Sequence, residues 1–146
     1  MTHHRATRET GQTTLLVIGL AIVVAMMVAV VVDASAAYLR RQALDSLADG
    51  AALAAADGIE GEQVYRGGLG ERAQVDPVAA RTYVARYLGS LDAEGTYPGL
   101  SYAVSTTAGS VQVRVSAPMD LPLTPPGGEF RPVVTGTAAA FVVVSE

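Results

Sequence analysis

The chain has 146 residues, a formal net charge of -4, basic side chains that are all arginine, and no cysteine. At this length one small domain with an appendage is expected. The mild acidity and the lack of any basic patch interleaved with aromatics argue against a nucleic-acid-binding surface; the missing cysteines exclude disulfides, thiolate catalysis and Cys-based zinc sites.

In chain order, residues 1–12 form a polar tail ahead of the run TTLLVIGLAIVVAMMVAVVV, Thr13 to Val32. That run holds about 20 residues without a charge, enough at about 1.5 Å per residue to cross a hydrocarbon core of about 30 Å. A buried core helix rarely exceeds about 14 wholly apolar residues. A secretory signal peptide is the serious competitor, with Arg5 and Arg8 as its basic start and Ala34-Ser35-Ala36 as a small-x-small cleavage site. The run is longer than the ~7–15 apolar residues usual for such a leader, which favours a retained anchor. Arg5 and Arg8 before the span nearly balance Arg40 and Arg41 beyond it. The positive-inside rule therefore only leans toward a cytoplasmic N-terminus, with residues after the span exported.

Within the span, Ala21, Ala25 and Ala29 recur every four residues, followed by Asp33 and Ala37. Small residues at this spacing let two helices approach closely in lipid, which makes self-association through this helix an expectation. Asp33 either marks the bilayer edge or pairs with a cation on a neighbouring helix. Beyond it, nearly every residue from Ala34 to Ala56 favours a helix. Leu44, Leu47, Ala48, Ala51 and Ala55 form one apolar stripe. Arg41 and Asp45 can pair at i, i+4. Gly50 costs a helix interior about 1 kcal/mol relative to alanine and marks a kink, a close crossing or a tolerated weak spot. Gly58 after Asp57 reads as a C-cap. One helix from about Thr13 to about Asp57 is expected, roughly 67 Å long, half of it beyond the bilayer.

The order Gly11-Gln12, apolar span, Asp33, Tyr38, Arg41-Gln42, Asp49 and the run Ala51-Ala52-Leu53-Ala54-Ala55-Ala56 resembles the N-terminal segment of the TadE/TadG-like proteins of Flp (Tad) pilus assembly. The resemblance covers roughly residues 8–57. It implies a single-pass membrane protein with its C-terminal part outside the cytoplasm, serving pilus biogenesis or adherence through pilus-assembly or envelope partners. Two departures stand out. Gly50 takes the place of an expected alanine. Leu16 stands where a processed pseudopilin, cleaved after Gly11, would carry glutamate, which favours an unprocessed, TadG-like anchor.

Residues 59–75 are glycine-rich with mixed charge and read as a loop, with a possible short strand at Val64-Tyr65. Asp76-Pro77 is a helix start. Val78, Tyr83, Val84, Tyr87, Leu88 and Leu91 give that helix an apolar face ending near Gly95. Leu100–Thr107 and Ser110–Ala117 read as a β-hairpin across Ala108-Gly109, with Val111, Val113 and Val115 on one face. The stretch 118–132, with its five prolines and Gly-Gly, reads as a loop; Met119, Leu121, Leu123 and Phe130 make it a candidate interaction surface, though an ordinary surface loop with a few half-buried anchors is the simpler reading. Val133–Ser145 reads as a third strand bent at Gly136, its FVVVS end buried on both faces.

Little supports an enzyme. Both histidines, His3 and His4, lie ahead of the span, so a Ser-His-Asp arrangement beyond it is impossible. Arg66-Gly-Gly-Leu-Gly70 lacks the Lys-Ser/Thr ending of a phosphate loop. Asp57, Glu60 and Glu62 offer oxygen ligands in a turn, but not at EF-hand spacing, and a solvated acidic turn is the simpler reading. No cofactor or metal is expected. The expected fold class is α+β: a long N-terminal transmembrane helix continuing into a small antiparallel-sheet domain, a pilin-like architecture. Its parts are a cytoplasmic tail (1–12), the span (13–32), a projecting alanine-rich helix (33–58) and an exported module (59–146). The alanine face is expected to lie flat on the sheet, where bulky residues would not fit. The expected function is that of a membrane-anchored structural or assembly protein. The alternatives are a secreted binding module released after Ala36 and a minor pseudopilin processed after Gly11.

Overall fold

The computed structural model describes residues 10–67, 75–123 and 131–142, and in the first of these stretches the side chains of residues 12–61. One helix, α1 (Thr10–Gly67), fills that stretch with 58 residues. At about 1.5 Å per residue it is about 87 Å long. It is long and apolar enough to cross a membrane, and none of its most apolar window is buried inside the molecule.

α1 runs past its expected end. The C-cap at Gly58 and the loop from residue 59 are both corrected, and Val64-Tyr65 is helical instead of extended. Residues 68–74 lie outside the described residues. The reason is tertiary. Ile59 is buried on the same stripe as Leu44, Leu47, Ala48, Ala51, Ala52, Ala55 and Ala56, a run of i, i+3, i+4 steps that keeps one face against the core. Gly58 lies under the ring of Tyr83, where a Cβ would collide. It admits a neighbour and does not stop the helix.

α2 (Pro77–Ser90) starts as expected: the Asp76 carboxylate accepts from the Val78 amide at 2.8 Å, with Pro77 in the first turn. Ala80, Val84 and Leu88 are buried, and Tyr83 and Tyr87 pack against the core. Val78 and Leu91, expected on the apolar face, are exposed. The helix ends at Ser90, and a separate short turn, α3 (Ala93–Thr96), follows Asp92 in the left-handed region (φ 47°). Tyr83 sits on Gly58 and Tyr87 on Gly50, so α2 runs antiparallel to α1 and back toward its apolar half. Gly50 is therefore a close crossing: a Cβ there would strike the Tyr87 hydroxyl.

Three strands, β1 (Ser101–Thr106), β2 (Ser110–Pro118) and β3 (Val133–Phe141), form an antiparallel sheet in the order β1-β2-β3. The expected hairpin is present, closed by Thr107 N donating to Ser110 O at 2.9 Å. Val104 pairs with Val113, and Val113 with Ala138. β2 alternates as its sequence demands: Val111, Val113, Val115 and Ala117 are buried, Gln112 and Arg114 exposed. Among the described residues the third strand ends at Phe141. Phe141 is 77% exposed, which corrects the expectation of burial on both faces at that residue; Val143–Ser145 lie outside the described residues.

The sheet lies on α1 through β3. At Gly136 a Cβ would collide with the backbone of Leu44 and Asp45, so strand and helix meet backbone to backbone. The Thr137 amide donates to the Asp45 carboxylate at 3.0 Å. Pro118, paired with Val133, accepts from Arg40. β3 thus leaves the Arg40 level and travels along α1 away from its apolar half. The described residues of the β2–β3 connection, 119–123 and 131–132, and the turn between α3 and β1 occupy the end of the head nearest that half. Leu44, Val84, Val111, Val113 and Val115 are the largest fully buried side chains, each contributing about 1.5–3 kcal/mol of burial. The fold is the expected α+β class: a long N-terminal helix followed by a small three-stranded antiparallel sheet.

Candidate interaction surface

The residues singled out in the sequence lie along α1. Ala21 and Ala25 are exposed, and Ala29 is half-buried. Four residues turn an α-helix by slightly more than a full turn, so the stripe drifts round the helix and Asp33 ends facing the head. The Asp33 carboxylate accepts from the Leu123 amide at 3.0 Å. Its partner is a backbone group of its own chain, where the sharper expectation was a cation on a neighbouring helix. Tyr38 is 69% exposed, and Gln42 and Asp49 also face outward. Arg41 approaches Asp45 at 3.9 Å, with the Arg41 side chain 70% exposed and that of Asp45 46%, a pair worth a few tenths of a kcal/mol. Asp45 matters more as the acceptor for β3. These residues therefore do not converge: Asp33 and Asp45 face the head, while Tyr38, Arg41, Gln42 and Asp49 face away from the core.

Arg40 was not singled out, yet it ties three elements together. Its guanidinium lies 4.2 Å from the centroid of the Tyr97 ring, within cation–π range. Its Nη2 donates to the Pro118 carbonyl at 3.5 Å. Its Nε is buried and has no hydrogen-bond partner among the described residues. The available signal was spacing: of the adjacent pair Arg40-Arg41, only Arg40 stands four residues before Leu44 and shares its face. An open groove of about 520 Å³ surrounds it, lined among others by Ala36, Tyr97, Met119, Asp120 and Arg131. Arg131 and Asp120 form a two-pronged ion pair, Nε–Oδ1 at 2.7 Å and Nη2–Oδ2 at 3.1 Å.

Of the expected loop surface, Met119 is buried and anchors the connection, its amide donating to Pro132 O at 3.0 Å. Leu121 is half-buried and Leu123 is 47% exposed. Phe130 lies outside the described residues. The acidic turn at Asp57 and Glu60 does not exist, because both are helical. Glu62 is helical too, with its side chain outside the described residues. Among the described residues no group of three or more His, Asp or Glu side chains is arranged to hold a metal ion.

A long helix whose apolar half is exposed among the described residues, carrying a small α+β head on its other half, defines the class of protein. Within that class, residues 11–58 match the family described as putative Flp pilus-assembly TadE/G-like. The match covers about a third of the chain, spanning the apolar half and the alanine stripe. No curated protein and no solved structure matches the chain.

Proposed function

We propose that this protein is a single-pass membrane anchor of a Flp (Tad) pilus system that acts by holding its head domain at the membrane and contacting pilus or envelope proteins, without catalysis. The carrying observation is the state of the apolar half. Leu15, Leu16, Leu20, Met27, Val30 and Val31 are each at least 60% exposed, and side chains of this kind each gain about 1.5–3 kcal/mol on leaving water. A bilayer supplies that gain along the whole stretch. The family match supports the pilus assignment. In this reading the N-terminus is cytoplasmic, the head extracytoplasmic, and the Ala21, Ala25, Ala29 stripe packs against a second helix.

The Asp33–Leu123 hydrogen bond favours an intact chain over release after Ala36, because that cut would remove the acceptor. The test is the intact mass and N-terminal residue of the native protein from its own membranes. A chain retaining residues before Thr13, extracted only by detergent, agrees with the anchor. A chain starting at Ala37 would overturn it, and one starting at Gln12 would place the protein among processed pilin-like subunits.

A further inference from the structure

The end of the head that faces the apolar half of α1 carries a surface suited to lipid. Val32 closes the charge-free run, so Asp33 stands at the hydrocarbon boundary if the helix spans. Leu123 is fixed at that same level by the hydrogen bond its backbone amide donates to Asp33. Its side chain is 47% exposed, and on the helix Tyr38 and Leu39 are 69% and 63% exposed. Five and six residues above Asp33, those two stand about 8–9 Å higher along the axis. The headgroup layer is about 5–8 Å deep on each side, and helical side chains lean back toward the N-terminus, which returns both to that layer. Tyrosine favours this depth because its ring is apolar and its hydroxyl wet. Arg40, about 10 Å above Asp33, opens with Arg131 onto the groove. Its buried Nε–H lacks an acceptor among the described residues.

We propose that Leu123, together with Tyr38 and Leu39, is seated in the headgroup–acyl boundary of the leaflet from which the helix emerges. The occupant of this surface is the phospholipid bilayer, continuous with the surface that takes the span. The Arg40 groove opens just above the headgroup layer. The head is thereby held against the membrane and not raised above it on a stalk. The Asp33–Leu123 bond also gives the boundary carboxylate and the loop amide a partner where water is scarce.

This inference rests on the membrane-anchor reading, and the experiment separates the two. The chain has no native cysteine, so single cysteines placed by Leu123→Cys, Val24→Cys and Ala108→Cys can each carry an environment-sensitive fluorophore on the full-length protein in phospholipid nanodiscs. Nitroxide-bearing lipids then report contact with lipid itself. The expected result is blue-shifted, lipid-quenched emission at positions 24 and 123, and aqueous, unquenched emission at 108, on the far hairpin. Quenching at 24 with an aqueous 123 would overturn the seat and leave the anchor standing. No quenching at 24 would overturn the anchor itself. A second variant guards against a label that reports only local packing: Leu39→Asp with the label at 123 should lose part of its lipid quenching while retaining the helical signal. Unchanged quenching there would remove Leu39 from the seat.

Discussion

The two halves of α1 differ less in helix-forming character than in how side-chain bulk is arranged around the axis. Residues 12–32 carry large aliphatics on all sides, and among them only Ala29 is even half-buried. From Leu44 to Ile59 one face is nearly all alanine and fully enclosed, while Leu53, on the opposite side, is 56% exposed. Bulk all round suits a solvent of lipid tails, which accepts any shape. Smallness on one face suits close neighbours, and at Gly136 the strand reaches the helix backbone itself, beside Leu44 and Asp45. Both halves are helical; the lateral pattern decides the surroundings.

That contrast can be broken from either side. The largest effect is expected from Leu44→Ala, which empties a fully enclosed site and should cost about 2–5 kcal/mol of head stability. Leu20→Ala, in the exposed half, should leave the melting of the head unchanged. Equal effects, measured by thermal unfolding of the full chain in detergent, would erase the distinction. Gly136→Val comes next. The added atoms meet helix backbone and not a movable side chain, so a loss at or above the ~1–3 kcal/mol of ordinary overpacking is expected; a melt within 1 °C of the parent would show that the strand can stand off.

Ala51→Leu should cost about 1–3 kcal/mol for the same reason. The matching change in the other half, Ala25→Leu with Ala29→Leu, should spare the head and reduce helix association in membranes. Association unchanged by that pair would remove the small-residue stripe as a contact. Asp45→Ala removes the acceptor for the Thr137 amide and should cost about 1 kcal/mol. The smallest effect belongs to Arg41→Ala, a few tenths. If the last two changes proved equal by denaturant titration, the ion pair and not the strand contact would be the important role of Asp45.

Local chemistry made much of this legible in the sequence. The charge-free run, the alanine stripe, the Asp76-Pro77 start and the alternating valines of β2 all declare themselves within a few neighbouring residues. What failed was glycine. Gly58 carries the same local signal whether it ends a helix or lies beneath a ring, and only Tyr83, far along the chain, distinguishes the two. The exposure of Phe141 is not legible in the sequence, because an apolar run does not say which of its members the sheet covers. The contacts at the apolar end of the head were out of reach for a related reason. Asp33 meets a backbone amide 90 positions away, and a backbone amide has no sequence signature. Arg40 meets a ring delivered by the α3–β1 turn.

The unbroken course of α1 from Val32 to Leu44 has a consequence in screw geometry. Each residue advances the axis by about 1.5 Å and rotates it by about 100°. The compass bearing of the head relative to the apolar half is therefore counted out in residues, with no pivot among them to absorb an error. One residue inserted near Ala36 would swing the whole head through more than a quarter circle. Leu123 would be carried past Asp33, and the sheet would point toward a different set of neighbours. Direction, as much as attachment, is written into the number of residues between the two halves.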